Sequence, residues 1–250
     1  MIGGIIFARM LSTRLPSKVI IEIQGKTILE HIIERIRRSK HISKVVVATT
    51  TNPEDGAIER IGLRLGLDVF LGSEVDVLDR CYHAAKEFCL DPIVRITADD
   101  PFKDPDIIDY AIETYLKSRG EKYDLVCNTL KPTFPEGLDV EVMSFNALER
   151  VWKESCKNSD REHVTMYMLE HPDQFCIYNF ENTEFLSDIR LTLDTKEDLE
   201  LVKAIYDALY PRQNYFSWKD VIDYLRSNPD LLKINKNVKK STRYLCSDKK

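Results

Sequence analysis

Three cations and two hydroxyls crowd one short loop: after the apolar run Ile5-Ile6-Phe7-Ala8 come Arg9, Ser12, Thr13, Arg14 and Lys18, with Pro16 between the last two. In an α/β fold the turn after the first strand opens on the crevice where ligands bind. Guanidinium and ammonium groups there suit a polyanion such as a nucleoside triphosphate. Taken alone, the same loop also reads as a solvated basic turn. Two distant acids add weight to the first reading. Val94-Arg95-Ile96-Thr97-Ala98-Asp99-Asp100-Pro101 sets carboxylates directly after a buried run, and Arg190-Leu191-Thr192-Leu193-Asp194-Thr195 repeats the arrangement far downstream. If both runs are strands of one parallel sheet, Asp99 and Asp194 emerge at the same edge as Arg9, Arg14 and Lys18. Magnesium is commonly held by one or two carboxylates plus substrate phosphates, so two such aspartates suffice to hold it beside a triphosphate. The cations would then neutralise charge on a departing pyrophosphate. No protein nucleophile is required, and the chain offers no Ser-His-Asp or Cys-His arrangement. Each acid also has a plain structural reading: an Asp-Pro turn for Asp99 or Asp100, a helix N-terminus for Asp194.

Further candidates lie in three places. Phe134-Pro135-Glu136-Gly137-Leu138-Asp139-Val140-Glu141 reads as a turn feeding a strand, in which alternation puts Asp139 and Glu141 on one face. They would grip sugar hydroxyls, or form the wet face of an edge strand. Arg161-Glu162-His163 opens a helix, as a solvated first turn or as a ligand clamp. Asp79 and Arg80 lie in an amphipathic segment beside the crevice, where adjacent residues need other partners than each other.

Short β-branched runs at 2–8, 44–50, 69–71, 93–97 and 125–128 alternate with helical patterns, which predicts βαβ units and a mainly parallel sheet. Thr27 and Glu30 have capping-box spacing ahead of the stripe Ile28, Leu29, Ile32, Ile33, Ile36. Helices are expected from Asp76 to about Phe88, from Pro105 behind an Asp104 cap, over 145–154, over 161–170, over 195–209 and from Ser217. Strands are expected over 138–144, 175–180 and 190–193. The organisation is one α/β domain over 1–228 with an inserted lobe at 129–185, and a polar, lysine-rich, loosely held tail over 229–250.

Thirty-six Lys and Arg stand against 41 Asp and Glu, a net charge of -5 that argues against a nucleic-acid partner. No apolar run has membrane-spanning length, and Met1 leads straight into a core strand, so a cytoplasmic protein is expected. The six cysteines lack a C-x-x-C pair and the five histidines lack ligand spacing, so no zinc site is expected.

Ala8–Lys18, Ala48-Thr49-Thr50, Gly72-Ser73 with Asp76-Val77-Leu78-Asp79-Arg80, Arg95–Asp99, Phe134–Glu141, Asp160–Thr165 and Asp194–Asp198 together resemble the successive motifs of the SpsF-like cytidylyltransferases. That group is similar to the acylneuraminate and 3-deoxy-manno-octulosonate cytidylyltransferases. The resemblance implies a three-layer, GT-A-like nucleotidyltransferase fold and a homodimer. It implies an activity in which CTP and an acidic sugar give a CMP-sugar and pyrophosphate with Mg²⁺, for polysaccharide or glycan biosynthesis. By match of motif, Ala8, Arg9, Ser12, Arg14 and Lys18 would hold the triphosphate, Asp99 and Asp194 the metal, and Arg80 would lie near the base. Asp139, Glu141, Arg161, Glu162 and His163 would lie near the sugar, and Arg9, Lys18, Asp99 and Asp194 would carry the chemistry. The family pattern usually has glycine at one or both of the positions held here by Leu11 and Ser17, Ala98 replaces another common glycine, Asp100 adds a carboxylate and Lys196 replaces a common proline. Two other readings follow from the residues: a GT-A glycosyltransferase using Asp104-Pro105-Asp106, or a nucleotide-binding protein that kept the fold without turnover.

Overall fold

The computed structural model describes residues 1–118 and 123–239. In chain order the strands are β1 (Gly3–Phe7), the short hairpin β2 (Glu22–Ile23) and β3 (Lys26–Thr27), β4 (Lys44–Thr50), β5 (Asp68–Gly72), β6 (Ile93–Thr97), β7 (Leu125–Cys127), β8 (Glu141–Met143) and β9 (Ile177–Asn179). The helices are α1 (Ile28–Ile36), α2 (Gly56–Arg64), α3 (Val77–Glu87), α4 (Pro105–Lys117), α5 (Phe145–Glu154), α6 (Asn158–Glu162), α7 (Met166–Glu170), α8 (Lys196–Leu209) and α9 (Trp218–Ser227).

Seven strands form one sheet in the order β5-β4-β1-β6-β8-β7-β9. β5, β4, β1 and β6 run parallel, β8 is antiparallel to both β6 and β7, and β9 is parallel to β7. Because strand side chains alternate, Ile6 and Ala8 enter one core with residues of α1, α4, α8 and α9, while Ile5 and Phe7 enter a second with residues of α3, α5 and α7. Both faces of the sheet are therefore covered, and ligands have access only at its edges and at the strand ends.

The helix starts follow the sequence. Thr27 Oγ1 accepts from Glu30 N at 3.2 Å while Glu30 Oε2 accepts from Thr27 N at 2.8 Å; Thr195 with Asp198 and Ser217 with Asp220 make the same reciprocal caps. Three expectations are corrected. Residues 190–193 form no strand: Arg190 makes one isolated parallel bridge to Glu136. The helix expected over 161–170 is two short ones, α6 and α7. The chain after 228 does not fall away as a loose tail up to Asn235: Leu231, Leu232 and Ile234 pack on the core, and Asn235 is only 5% exposed.

His31 of α1 is buried against the Tyr206 ring, 4.5 Å between centroids, with Nε2 2.8 Å from the Ile23 carbonyl. Burial is the main influence on it; Lys26 and Arg35 act the same way and Glu34 and the Ile23 carbonyl oppose, leaving the imidazole pKa below its usual value. A depressed histidine stabilises the fold fully above its unfolded pKa of about 6.5 and loses that contribution as pH falls toward the native value. Between pH 7.5 and 5.0 the melting temperature should therefore drop more for the parent than for His31→Phe, read by circular dichroism; equal drops would rule out this histidine as the cause.

Candidate active site

The C-terminal ends of β1 and β6 open on a cleft of about 670 Å³. The β1 loop supplies Ala8, Arg9, Ser12, Arg14 and Lys18; the first turn of α3 supplies Arg80; β6 and its turn supply Arg95, Asp99 and Asp100. The 136–139 turn adds Glu136 and Asp139, the end of α6 and the residue after it add Glu162 and His163, and the segment before α8 adds Asp194.

Lys18 is the centre of this cleft. Its Nζ donates to Asp99 Oδ2 at 2.9 Å and to Asp194 Oδ1 at 2.7 Å, so the two carboxylate oxygens lie no further apart than those two bonds together. Burial disfavours the ammonium, but the charges of Asp99 and Asp194 outweigh it and the Lys18 pKa is raised. Asp99 is the mirror case: burial pushes its carboxyl up, and Lys18 more than reverses the effect. The loop reaches this geometry through Ser17, which has φ 57°, in the left-handed region that favours glycine. Ser17 thus takes a backbone shape that glycine adopts without strain.

Asp194 receives two more cations, Arg14 Nη2 at 2.9 Å and Arg190 Nη2 at 2.9 Å. Arg190, buried at 6% exposure, also donates from Nε to Asp198 Oδ1 at 2.9 Å and from Nη1 to Glu136. The backbone ties the two acidic segments directly, with Leu193 N donating to the Asp99 carbonyl at 2.7 Å and Thr192 Oγ1 to the same oxygen at 3.1 Å. Convergence of Asp99 and Asp194 therefore comes from loop-to-loop hydrogen bonds, and not from a shared strand edge.

Gly137 permits the neighbouring approach. Its φ is +101°, and a Cβ there would stand 2.8 Å from Thr192 N and 2.9 Å from Leu191 C. Gly137→Ala should cost about 2 kcal/mol through left-handed strain and this backbone clash, lowering the urea midpoint; an unchanged midpoint would show that the turn relaxes freely.

Two expected sugar contacts are not at the cleft. Glu141 is buried within the sheet, paired with Arg95 Nη1 at 3.1 Å and accepting from Thr165 Oγ1 at 2.7 Å. The strand expected to align it with Asp139 starts only at Glu141, so alternation does not link the two; Glu141 lies opposite Arg95 in the β6–β8 register and makes a cross-strand pair instead. Arg161 donates twice to Asp76 Oδ2, at 2.8 and 2.6 Å, and once to the Trp152 carbonyl at 2.9 Å, bracing α3, α5 and α6. The added acid Asp100 is neutralised internally by buried Lys103 at 2.8 Å. Asp104 serves as the α4 cap, accepting from Asp106 N at 3.0 Å and Trp218 N at 2.9 Å. With Asp104 occupied in capping, the Asp-x-Asp pair is not presented to the cleft.

The sequence reading missed Arg95, Lys103, Arg190 and Glu136. A signal for the arginines existed: each lies four residues before its aspartate in the same pattern, Arg95-Ile-Thr-Ala-Asp99 and Arg190-Leu-Thr-Leu-Asp194. Arg80 is buried, donates to the Ser73 carbonyl, and keeps a buried Nε with no partner among the described residues. Burial, then the nearby charge of Arg9, brings its pKa down to about 10. A guanidinium in that state favours an anion.

A mostly parallel α/β sheet with cations and two lysine-bridged carboxylates gathered beside the C-terminal ends of β1 and β6 is a site suited to nucleotidyl transfer. The match to a family model over residues 4–234 makes the class specific: the chain belongs to the cytidylyltransferase family and is a CTP-dependent enzyme. It is 34% identical over 233 residues to the spore coat polysaccharide biosynthesis protein SpsF of Bacillus subtilis, covering 90% of this chain and 94% of that protein. It is 26% identical over 244 residues to the 3-deoxy-manno-octulosonate cytidylyltransferase of Solibacter usitatus, covering 82% and 94%. Among solved structures, a cytidylyltransferase from Leptospira borgpetersenii superposes with a TM-score of 0.89 at 33% identity, covering 96% of this chain and 98% of that one. Among the described residues no helix is long and apolar enough to cross a membrane.

Proposed function

We propose that this cytidylyltransferase transfers CMP from CTP to a hydroxyl of an acidic sugar, releasing pyrophosphate and supplying a CMP-sugar for polysaccharide or glycan assembly, on a GT-A-like variant of the fold. The observation that carries the reading is the convergence of Asp99 and Asp194 on one buried ammonium, Lys18, at 2.9 and 2.7 Å. Two carboxylates already drawn around a positive centre fit a magnesium ion. Asp99 and Asp194 would hold it, and when bound it supplies positive charge to the phosphates. The chain's own groups do the positioning: Arg9 and Arg80 offer guanidinium charge to the triphosphate, with Ser12 beside them. Asp139, Glu162 and His163 line the same cleft for the sugar. An acidic acceptor is supported by the octulosonate named for one relative. The homodimer implied by the family resemblance and a cytoplasmic location belong to the same proposal, the former open to light scattering.

The deciding experiment measures pyrophosphate release with each nucleoside triphosphate, Mg²⁺ and a panel of nonulosonates, octulosonates and neutral hexoses. Release that requires both CTP and an acidic sugar is expected. Release with neutral sugars alone would overturn the acidic acceptor.

A further inference from the structure

Half of the six cations lining the cleft are already engaged. Lys18 holds Asp99 and Asp194, Arg14 pairs with Asp194, and Arg95 pairs with Glu141. Three others, Arg9, Arg80 and Lys239, line the cleft without an ion pair to any described carboxylate. The first two come from the motif-bearing N-terminal half. Lys239 comes from the far end of the described chain, where the sequence predicts a loose tail.

Its placement is built. Asn235 is buried and donates through Nδ2 to the Arg190 carbonyl at 3.1 Å and to Asp198 Oδ1 at 3.0 Å. These are the two residues that also fix Asp194. Val238 N then donates to the Asn235 carbonyl at 3.0 Å, closing a turn that delivers the next residue, Lys239, to the cleft wall. Leu231, Leu232 and Ile234 pack this segment on the core just before the anchor.

We propose that Lys239 is a nucleotide-binding residue whose ammonium takes a phosphate oxygen of CTP, with Asn235 as the anchor that presents it. The inference rests on the CTP-dependent reading of the cleft. A triphosphate carries more negative charge than Arg9 and Arg80 can match, and a lysine on an anchored turn meets it with less ordering cost than one on a free chain end. A charge-assisted contact at an open cleft is worth about one factor of ten in affinity.

The test is isothermal titration of the full chain with CTP, CMP and inorganic pyrophosphate in the presence of Mg²⁺. Lys239→Ala, at an exposed position, should leave the melting temperature unchanged and weaken CTP binding about 5- to 10-fold, with Lys239→Arg restoring most of it. Parallel weakening of pyrophosphate assigns the contact to the outer phosphates, and parallel weakening of CMP assigns it to the α-phosphate. Asn235→Ala should weaken CTP by a similar factor, and the double variant should show no further loss. If Lys239→Ala binds CTP as the parent does, the inference fails while the nucleotide reading stands. If the parent itself does not bind CTP, the nucleotide reading fails first.

Discussion

Asp194→Asn reduces CTP-dependent pyrophosphate release by at least about 100-fold, the scale on which removing one preorganised electrostatic group from an active site is felt, while the protein remains folded. The two halves of this expectation have separate causes. Asp194 is contacted by Lys18, Arg14 and Arg190, and those cations also face Asp99, Asp198 and Glu136. When the acid at 194 becomes an amide, Asp99, Asp198 and Glu136 keep their own contacts with Lys18 and Arg190, so the fold is expected to stand. The substituted amide keeps one oxygen for Arg14 and Arg190, and loses the charge and the second acceptor that Lys18 uses. On the proposed reading, the pair of carboxylates that would hold a divalent ion is reduced to one, and Lys18 is drawn wholly onto Asp99. Stopped assays at saturating CTP, paired with a thermal melt within a few degrees of the parent, check both halves. Near-parental turnover would show that Asp194 has a structural role only.

The convergence of Asp99 with Asp194 is readable in outline because each ends an Arg-x-Thr-x-Asp pattern. How they converge is not readable. Periodicity marks 190–193 as a strand, but whether an extended apolar run joins a sheet depends on a neighbour with free hydrogen-bonding groups; here Leu193 finds the single carbonyl of Asp99 and no ladder forms. The expectation for Glu141 fails for a related reason. Alternation places side chains correctly only inside a strand, and the strand begins at Glu141 itself. The helices of the first half are legible because capping residues and apolar stripes are local signals. The Asn235 anchor is not, since one amide on a polar segment carries no periodicity and its partners lie 37 and 45 positions away.

Arg190 has the largest structural effect expected of any single side chain at the cleft. Its guanidinium is buried with Glu136, Asp194 and Asp198, making bonds to all three, and Asp198 and Glu136 raise its pKa despite burial. Removing one member of a buried ionic network leaves uncompensated charge, which costs about 3–5 kcal/mol. For Arg190→Met, Lys18 and Arg14 still cover Asp194, so the loss falls on Glu136 and Asp198, each of which gives up its contact with the guanidinium. Asp198 is already used by the Thr195 cap and by Asn235, so the start of α8 and the C-terminal anchor should loosen together. Urea unfolding should show a loss of about 3 kcal/mol or more, with turnover falling because Asp194 loses one of its fixed contacts. Arg190→Lys preserves charge but replaces a fork that reaches three acids with a single point donor, and should recover only part of the stability. If Arg190→Met unfolds at the parent's midpoint, the acids must find cover elsewhere, and the coupling between the C-terminal segment and Asp194 does not run through this guanidinium.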